Sequence, residues 1–398
     1  MNAVRPLVVA ARRTPIGRVG GAFATTTIDG LLVPVLAALV AELGITGDDV
    51  DDVIVGNAGG SGGNPARYAA LAAGLGTGVP GLTIDRQCGS GLEAVSLASR
   101  MVAAGAADLV LAGGAESAST APWRVERPAA LHGIPAFQYR PHFVPAEFGD
   151  LDMGVAGENV ARKGGISRER QDRYALDSHR KALAAAGAGR FDGELVPVEV
   201  RVGRAGALTV TADECPRPDT GLDRLARLRP AFVEGGTVTA GNCCPVNDGA
   251  AMVAVVSDRK FRELGLSRGL RVVDSTTTGV DPEILGWGPV PAVRALLGRN
   301  PGIGLGDIPV VEFTEAFAGQ VLACLDELGI PEERVNRGGG AIALGHPWGA
   351  SGAVLVTRLF ADMFGTVDPA AATARYGLAT LGAAGGQGIA ALFERVTA

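Results

Sequence analysis

The stretch Arg86 Gln87 Cys88 Gly89 Ser90 Gly91 Leu92 Glu93 Ala94 Val95 puts one cysteine on a glycine-rich turn between a strand and a helix. Upstream, Val79 to Ile84 is a short apolar, strand-like run. Downstream, Leu92 to Ala104 carries Leu92, Val95, Ser96, Ser99 and Val102 at helical spacing. A thiol at that turn meets the unpaired N–H groups and the positive dipole end of the helix, which favour thiolate, so Cys88 reads as a nucleophile. It reads equally as a small buried apolar residue, because free cysteine is among the most buried residue types.

Outward from this turn, composition bounds the possibilities. A chain of 398 residues, 47% hydrophobic and with 59 glycines, can bury a large core in two or three compact units. Its formal charge of -6 comes from 42 acidic and 36 basic residues without long blocks of one sign, which gives nucleic-acid binding no electrostatic support. Five cysteines are an odd number for a disulfide framework, and no CxxC pair or His/Cys cluster stands at zinc spacing, so no metal site and a reducing, cytoplasmic setting are expected. Met1 to Pro6 leads straight into an apolar strand, without the pattern of a cleaved leader. The longest apolar stretch, Leu31 to Leu43, contains Pro34 and Glu42 and is too short to span a bilayer.

The order of elements occurs twice. Val50 to Asn57, the strand and turn at Leu82 to Gly91, a helix, and Asp108 to Ala112 closing on Gly113 Gly114 make the first pass. Ile308 to Phe313, Arg334 Val335 Asn336 leading into Gly338 Gly339 Gly340, a helix from about Gly349 to Phe364, and Tyr376 to Leu381 closing on Gly385 Gly386 make the second. This predicts a duplicated α/β fold with mixed or parallel sheets under helices and ligand sites at strand ends. Between the passes, Thr120 to Asn247 is richer in Pro, Arg and aromatic residues and reads as an inserted loop domain that covers a ligand. The expected division is 1–119, then 120–247 with a closing strand near 248–258, then 259–398.

Ordered blocks along nearly the whole chain resemble the thiolase family: Arg13 Thr14 Pro15 Ile16 Gly17, the Cys88 turn, Gly113 Gly114 Ala115 Glu116 Ser117, Gly236 to Asn242, Asn247 Asp248 Gly249 Ala250, Glu315 Ala316 Phe317 Ala318, and Gly339 Gly340 Ala341 Ile342 Ala343 Leu344 Gly345 His346 Pro347. The resemblance implies a five-layered αβαβα fold from two duplicated halves, a loop domain that binds coenzyme A, and a homodimer or homotetramer. It implies a coenzyme A thioester as substrate and no permanently bound cofactor. Cys88 matches the acyl-accepting thiol and His346 the base, a role that suits imidazole because its pKa lies near neutral. His132, His142 and His179 lack such a motif and read as surface or loop residues. Met153, Phe232, Ala240, Cys244, Ala316 and Phe317 match positions that meet coenzyme A.

Four departures from the family pattern alter the expected chemistry. Thr314 stands where an asparagine usually holds the water of one oxyanion hole, and its hydroxyl offers one donor where an amide offers two. The other hole, from the backbone N–H groups of Cys88 and the loop near Ala384, needs no particular side chain. Gly382 stands where a second cysteine usually removes the α-proton of the incoming acetyl group; a positioned base contributes about 10²- to 10⁴-fold. Cys243 and Cys244 stand where the coenzyme A loop of the family usually has alanine and serine and read as replacement bases or as apolar fillers, and Asp152 stands where many relatives carry histidine. The expected function is a thiolase-like acyltransferase that loads Cys88 from an acyl-CoA or β-ketoacyl thioester and passes the acyl group to a nucleophilic acceptor, or cleaves by retro-Claisen chemistry, in specialised metabolism. The alternatives are a conventional acetyl-CoA C-acyltransferase with a substitute base, and a catalytically silent subunit paired with a small OB-fold protein; the presence of both Cys88 and His346 argues against the last.

Overall fold

A computed structural model describes residues 4–60, 62–201 and 206–397; the opening Met1 to Ala3 lies outside them. The first half of the sequence supplies β1 (Leu7–Arg13), α1 (Ile28–Leu43), β2 (Asp52–Gly56), α2 (Pro65–Ala72), β3 (Gly81–Ile84), α3 (Ser90–Ala103) and β4 (Leu109–Ser117). After α4 (Met153–Lys163) and α5 (Arg168–Gly187), β5 (Asn247–Val256) completes its sheet. The second half is built from β6 (Arg268–Gly279), α6 (Pro289–Arg299), β7 (Val310–Phe313), α7 (Ala318–Leu328), α8 (Trp348–Phe364), β8 (Tyr376–Ala383) and β9 (Gln387–Thr397).

The strand order β3-β2-β4-β5-β1 continues through β6-β9-β8-β7. In the first half β2 is parallel to β3 and β4, and β5 is antiparallel to β4 and β1. In the second half β7 is parallel to β8, β9 is antiparallel to β8 and β6, and Val335 pairs in parallel with Val311 in the place that β3 takes beside β2. The two passes thus share one topology. They join edge to edge, with Leu7 opposite Arg271 and Val8 opposite Leu270.

Each sheet is apolar on both faces, so each must be covered twice. Leu31, Leu32, Leu36 and Leu39 of α1 with Ala66 and Ala69 of α2 cover Val53, Val55, Leu109 and Leu111 on one outside. Val290, Val293 and Leu296 of α6 with Val321 and Leu322 of α7 cover Val311, Phe313, Leu378 and Leu392 on the other. Leu92, Val95, Leu355 and Leu359 of α3 and α8 fill the middle, against Ile54, Val110 and Val253 on one side and Ala379, Leu381 and Ala391 on the other. The result is five layers. The central helices can cross closely because of glycine: a Cβ at Gly352 would stand 2.3 Å from Leu92 N, and one at Gly91 2.8 Å from Ala353 N. That crossing brings the residues before α3 and before α8 to the same end of the molecule.

Among the described residues, the segment 120–247 builds no core of its own. Its helices bury Val160, Tyr174 and Ala175 in the cluster of Phe313 and Val321, while a short ribbon pairs Val125–Glu126 with Ala136–Phe137 at the surface. Two strands run longer than the glycines suggested, since β4 passes through Gly113 and Gly114 to Ser117 and β8 includes Gly382. His179 corrects the reading of a surface residue: it is buried on α5, where it accepts a hydrogen bond from Arg217 N at 3.3 Å. His132 and His142 do lie in exposed loops.

Candidate active site

The Cys88 turn is held by its own sequence. Ser90 Oγ accepts from Arg86 N at 2.8 Å and donates to Gln87 O at 2.6 Å, while Asp85 accepts from Gln87 N at 2.7 Å. These bonds hold Gln87 at φ 51, a left-handed conformation costly for a side chain with a Cβ. The backbone therefore reverses just before Cys88, and Gly89 caps α3 just after it.

On the opposing half, Gly345 at φ 113 and Pro347 shape the loop that carries His346 into the start of α8. His346 N donates to Asn247 Oδ1 at 2.8 Å, and Asn247 is fixed in turn by donating to Gly17 O at 2.8 Å. The His346 Nδ1 lies 2.6 Å from Ser351 Oγ on the first turn of α8, which leaves Nε2 as the ring nitrogen for other work.

Cys88 and His346 line one cavity of about 220 Å³, together with Met153, Phe232, Cys243, Cys244, Ala316, Phe317, Gly382 and Ala384. The N–H groups of Ala384 and of Cys88 itself face the sulfur. Phe232 stands edge-on to Phe317 with ring centroids 6.2 Å apart. The pair fits only because Gly154 has no side chain: a Cβ there would fall 2.0 Å from the Phe232 ring. Cys88, Asp152, Met153, Trp348 and Ala384 also line a second cavity of about 510 Å³ that extends past Ala58, Gly59, Ala121, Arg124, Tyr139 and Phe143. The thiol thus stands where two cavities meet.

The electrostatics correct one sequence expectation. Burial, reinforced by the Glu116 and Asp85 carboxylates, pushes the Cys88 thiol up to about 12 against the two N–H groups that face it. The helix start does not produce a resting thiolate. Burial also pushes the His346 imidazole down to about 4, so it is neutral at pH 7 and free to accept a proton. The Glu116 carboxylate is locked by accepting from the N–H groups of Ala58, Gly59 and Gly349, which ties the α8 start to the first half.

Two of the residues singled out in the sequence lie elsewhere. Ala240 is exposed and lines neither cavity. Thr314 is buried behind His346, on the wall of a smaller cavity that Ser351 shares. Gly382 lies on β8 opposite Gly388; a Cβ there would stand 3.3 Å from Gln320 Nε2 and from Leu285 O, pointing at the first cavity. Cys243 and Cys244 both reach that cavity, and burial raises both thiols, Cys243 to about 11. Sequence reasoning missed Ser351, Asn247 and Gln320. Ser351 stands on the first turn of α8, five residues past His346 in the loop before it, a signal that becomes readable only once the histidine is known to need a partner. Among the described residues no three His, Cys, Asp or Glu side chains are placed to share a metal ion, and no helix is long and apolar enough to cross a membrane.

Comparison with known proteins agrees with this architecture along the whole chain. The family model described as Thiolase, N-terminal domain matches residues 7–259, and Thiolase, C-terminal domain matches residues 268–395. The VraB protein of Staphylococcus epidermidis is 44% identical over 395 residues, covering 98% of both chains. An acetyl-CoA acetyltransferase of Thiocystis violacea is 43% identical over 397 residues, covering 98% of this chain and 99% of its own. The crystal structure of the Bacillus anthracis acetyl-CoA acetyltransferase superposes with a TM-score of 0.90 at 36% identity, covering 100% of both chains. The duplicated five-layer fold, with cysteine and histidine loops brought together at the crossing of its central helices, makes this chain an acyltransferase that belongs to the thiolase family.

Proposed function

We propose that the protein loads an acyl group from a coenzyme A or β-ketoacyl thioester onto Cys88 and passes it to an acceptor that is already nucleophilic. One observation carries this reading: Cys88, His346 and the Ala384 N–H share a cavity into which position 382 sends no side chain. In the first step the Cys88 sulfur forms a bond to the substrate carbonyl carbon while His346 takes the thiol proton. The carbonyl oxygen gains negative charge against the N–H groups of Cys88 and Ala384. From an acyl-CoA the carbon–sulfur bond to coenzyme A then breaks and the proton on His346 goes to the departing thiolate; from a β-ketoacyl thioester, attacked at its ketone carbon, the bond between that carbon and the α-carbon breaks and water or His346 protonates the departing carbanion. In the second step the acceptor bonds to the acyl carbon as His346 takes its proton, the bond to Cys88 breaks, and the proton returns to the Cys88 sulfur. Phe232, Met153, Ala316, Phe317 and Cys244 border the pantetheine arm, and the larger cavity past Ala58 and Phe143 receives the acyl group or acceptor. An amine, thiol, activated ring carbon or water needs no α-proton base, which suits specialised metabolism.

The second reading, a conventional C-acyltransferase, draws on the relatives named acetyl-CoA acetyltransferase and on Asp152 and Cys244, which reach the same cavity and are the groups placed to replace the base. The domain division at 1–119, 120–247 and 259–398, a cytoplasmic location and a homo-oligomer belong to this proposal. Exposed Trp123, Leu131, Ile134 and Phe137 around the 125–137 ribbon support the oligomer. Intact-protein mass spectrometry after mixing with a panel of acyl-CoAs tests the central claim. Acyl mass is expected on Cys88 and absent from Cys88→Ala; its persistence on Cys243 or Cys244 in that variant overturns the assignment.

A further inference from the structure

Behind His346 lies a cavity of about 20 Å³, lined by Glu312, Thr314, Ser351 and Arg358 among apolar and glycine neighbours. Every residue that lines it is buried. Glu312 is 2% exposed, Thr314 3% and Arg358 1%, yet Glu312 Oε1, Thr314 Oγ1 and Arg358 Nε have no hydrogen-bond partner within the protein. Leaving a buried polar group unpaired costs about 1–3 kcal/mol, and three around one cavity is more than a core tolerates without a common partner. The space suits a single water, and buried waters typically make two to four hydrogen bonds.

We propose that this cavity holds one ordered water that accepts from Ser351 O–H and Arg358 Nε–H and donates to Glu312 Oε1 and Thr314 Oγ1, making Glu312 and Thr314 positioning residues for His346. The link runs through Ser351. With its own proton directed to the water, the serine oxygen is left to accept the His346 Nδ1–H, and Nε2 stays bare toward the Cys88 cavity. Thr314 then acts behind the histidine. Burial, with the Asp362 and Glu194 carboxylates nearby, pushes the Glu312 carboxyl well up against the opposing Arg358 and Arg190 charges, which favours the form whose carbonyl oxygen accepts without a buried charge.

This inference rests on His346 being the base, and the experiment separates the two. Glu312→Leu, Glu312→Gln, Thr314→Val and His346→Ala are compared by thermal melting, by Cys88 acylation rate and KM with one acyl-CoA across pH, and by ¹⁵N NMR of the His346 ring. Glu312→Leu and Thr314→Val are expected to slow acylation about tenfold, the effect of one hydrogen bond, with KM unchanged and His346 shifted toward the Nε2–H tautomer. Glu312→Gln, which keeps the carbonyl acceptor, is expected to restore both readouts. Thr314→Val is nearly isosteric and carries the test if Glu312→Leu does not fold. Wild-type rates and an unchanged tautomer in folded Thr314→Val overturn the inference, as does a Glu312→Gln no better than Glu312→Leu. If His346→Ala acylates normally, the underlying assignment of the base fails instead.

Discussion

His346→Ala separates two ways of making the Cys88 nucleophile. With its thiol pushed up to about 12, Cys88 is ionised to about one part in 10⁵ at pH 7, against about 3% for an ordinary cysteine thiol. A resting thiolate is therefore too scarce to carry rapid acylation, and His346 must remove the proton as the sulfur attacks. Its imidazole, pushed down to about 4, is almost wholly in the accepting form at that pH. Loss of the ring is expected to slow acylation by about 10² to 10⁴ at pH 7. In the variant the residual rate should rise about tenfold per pH unit past pH 9, because nothing but solvent hydroxide then exposes the thiolate. Stopped-flow acylation, with iodoacetamide alkylation of Cys88 as a probe that needs no acyl-CoA site, measures both limbs. A variant whose alkylation levels off near pH 7 refutes the argument, since the helix start alone would then ionise the thiol.

Four other outcomes are expected. The wild type should exchange the α-protons of acetyl-CoA with deuterated water very slowly while transferring acyl groups to small thiols, and rapid exchange would show that Asp152 or Cys244 serves as base. Gly382→Cys should raise exchange, since the position is an ordinary strand residue and its Cβ needs Gln320 and the Leu285 carbonyl to give by only a few tenths of an ångström; isotope mass spectrometry reads both proteins. Gly154→Ala should drive Phe232 off Phe317 and raise KM for acyl-CoA with little change in the maximal rate, and an unchanged KM counts against Phe232 as a wall of the pantetheine arm. Acid should destabilise the fold between pH 6.5 and 4. His346, pushed down to about 4 by burial, and His179, pushed down to about 4 by burial with the Arg217 charge beside it, bind protons first in the unfolded chain, so stability is full above pH 6.5 and falls as the pH drops to 4, on the order of 3 kcal/mol for His346 and less for the only partly desolvated His179. Urea titrations across that range check it, and His179→Asn should remove the smaller part of the slope.

The sequence alone determined the duplication, because each pass repeats the same order of apolar strand, glycine turn and helix, and periodicity is a local property. It also singled out Cys88 and His346 as candidates, through the motifs that resemble the thiolase family. The tertiary structure decided everything that depends on approach between distant segments. Ser351 orients His346 through a helix whose register follows from packing, and Asn247 reaches the histidine loop across 99 residues of chain. Thr314 lies behind His346 because β7 ends one residue before it, with its side chain turned toward α8. The ionisation of Cys88 was misjudged from sequence for the same reason. A helix start favours thiolate locally, but the desolvation of a thiol between two halves of a protein, beside the Glu116 and Asp85 carboxylates, outweighs the two N–H groups that face it.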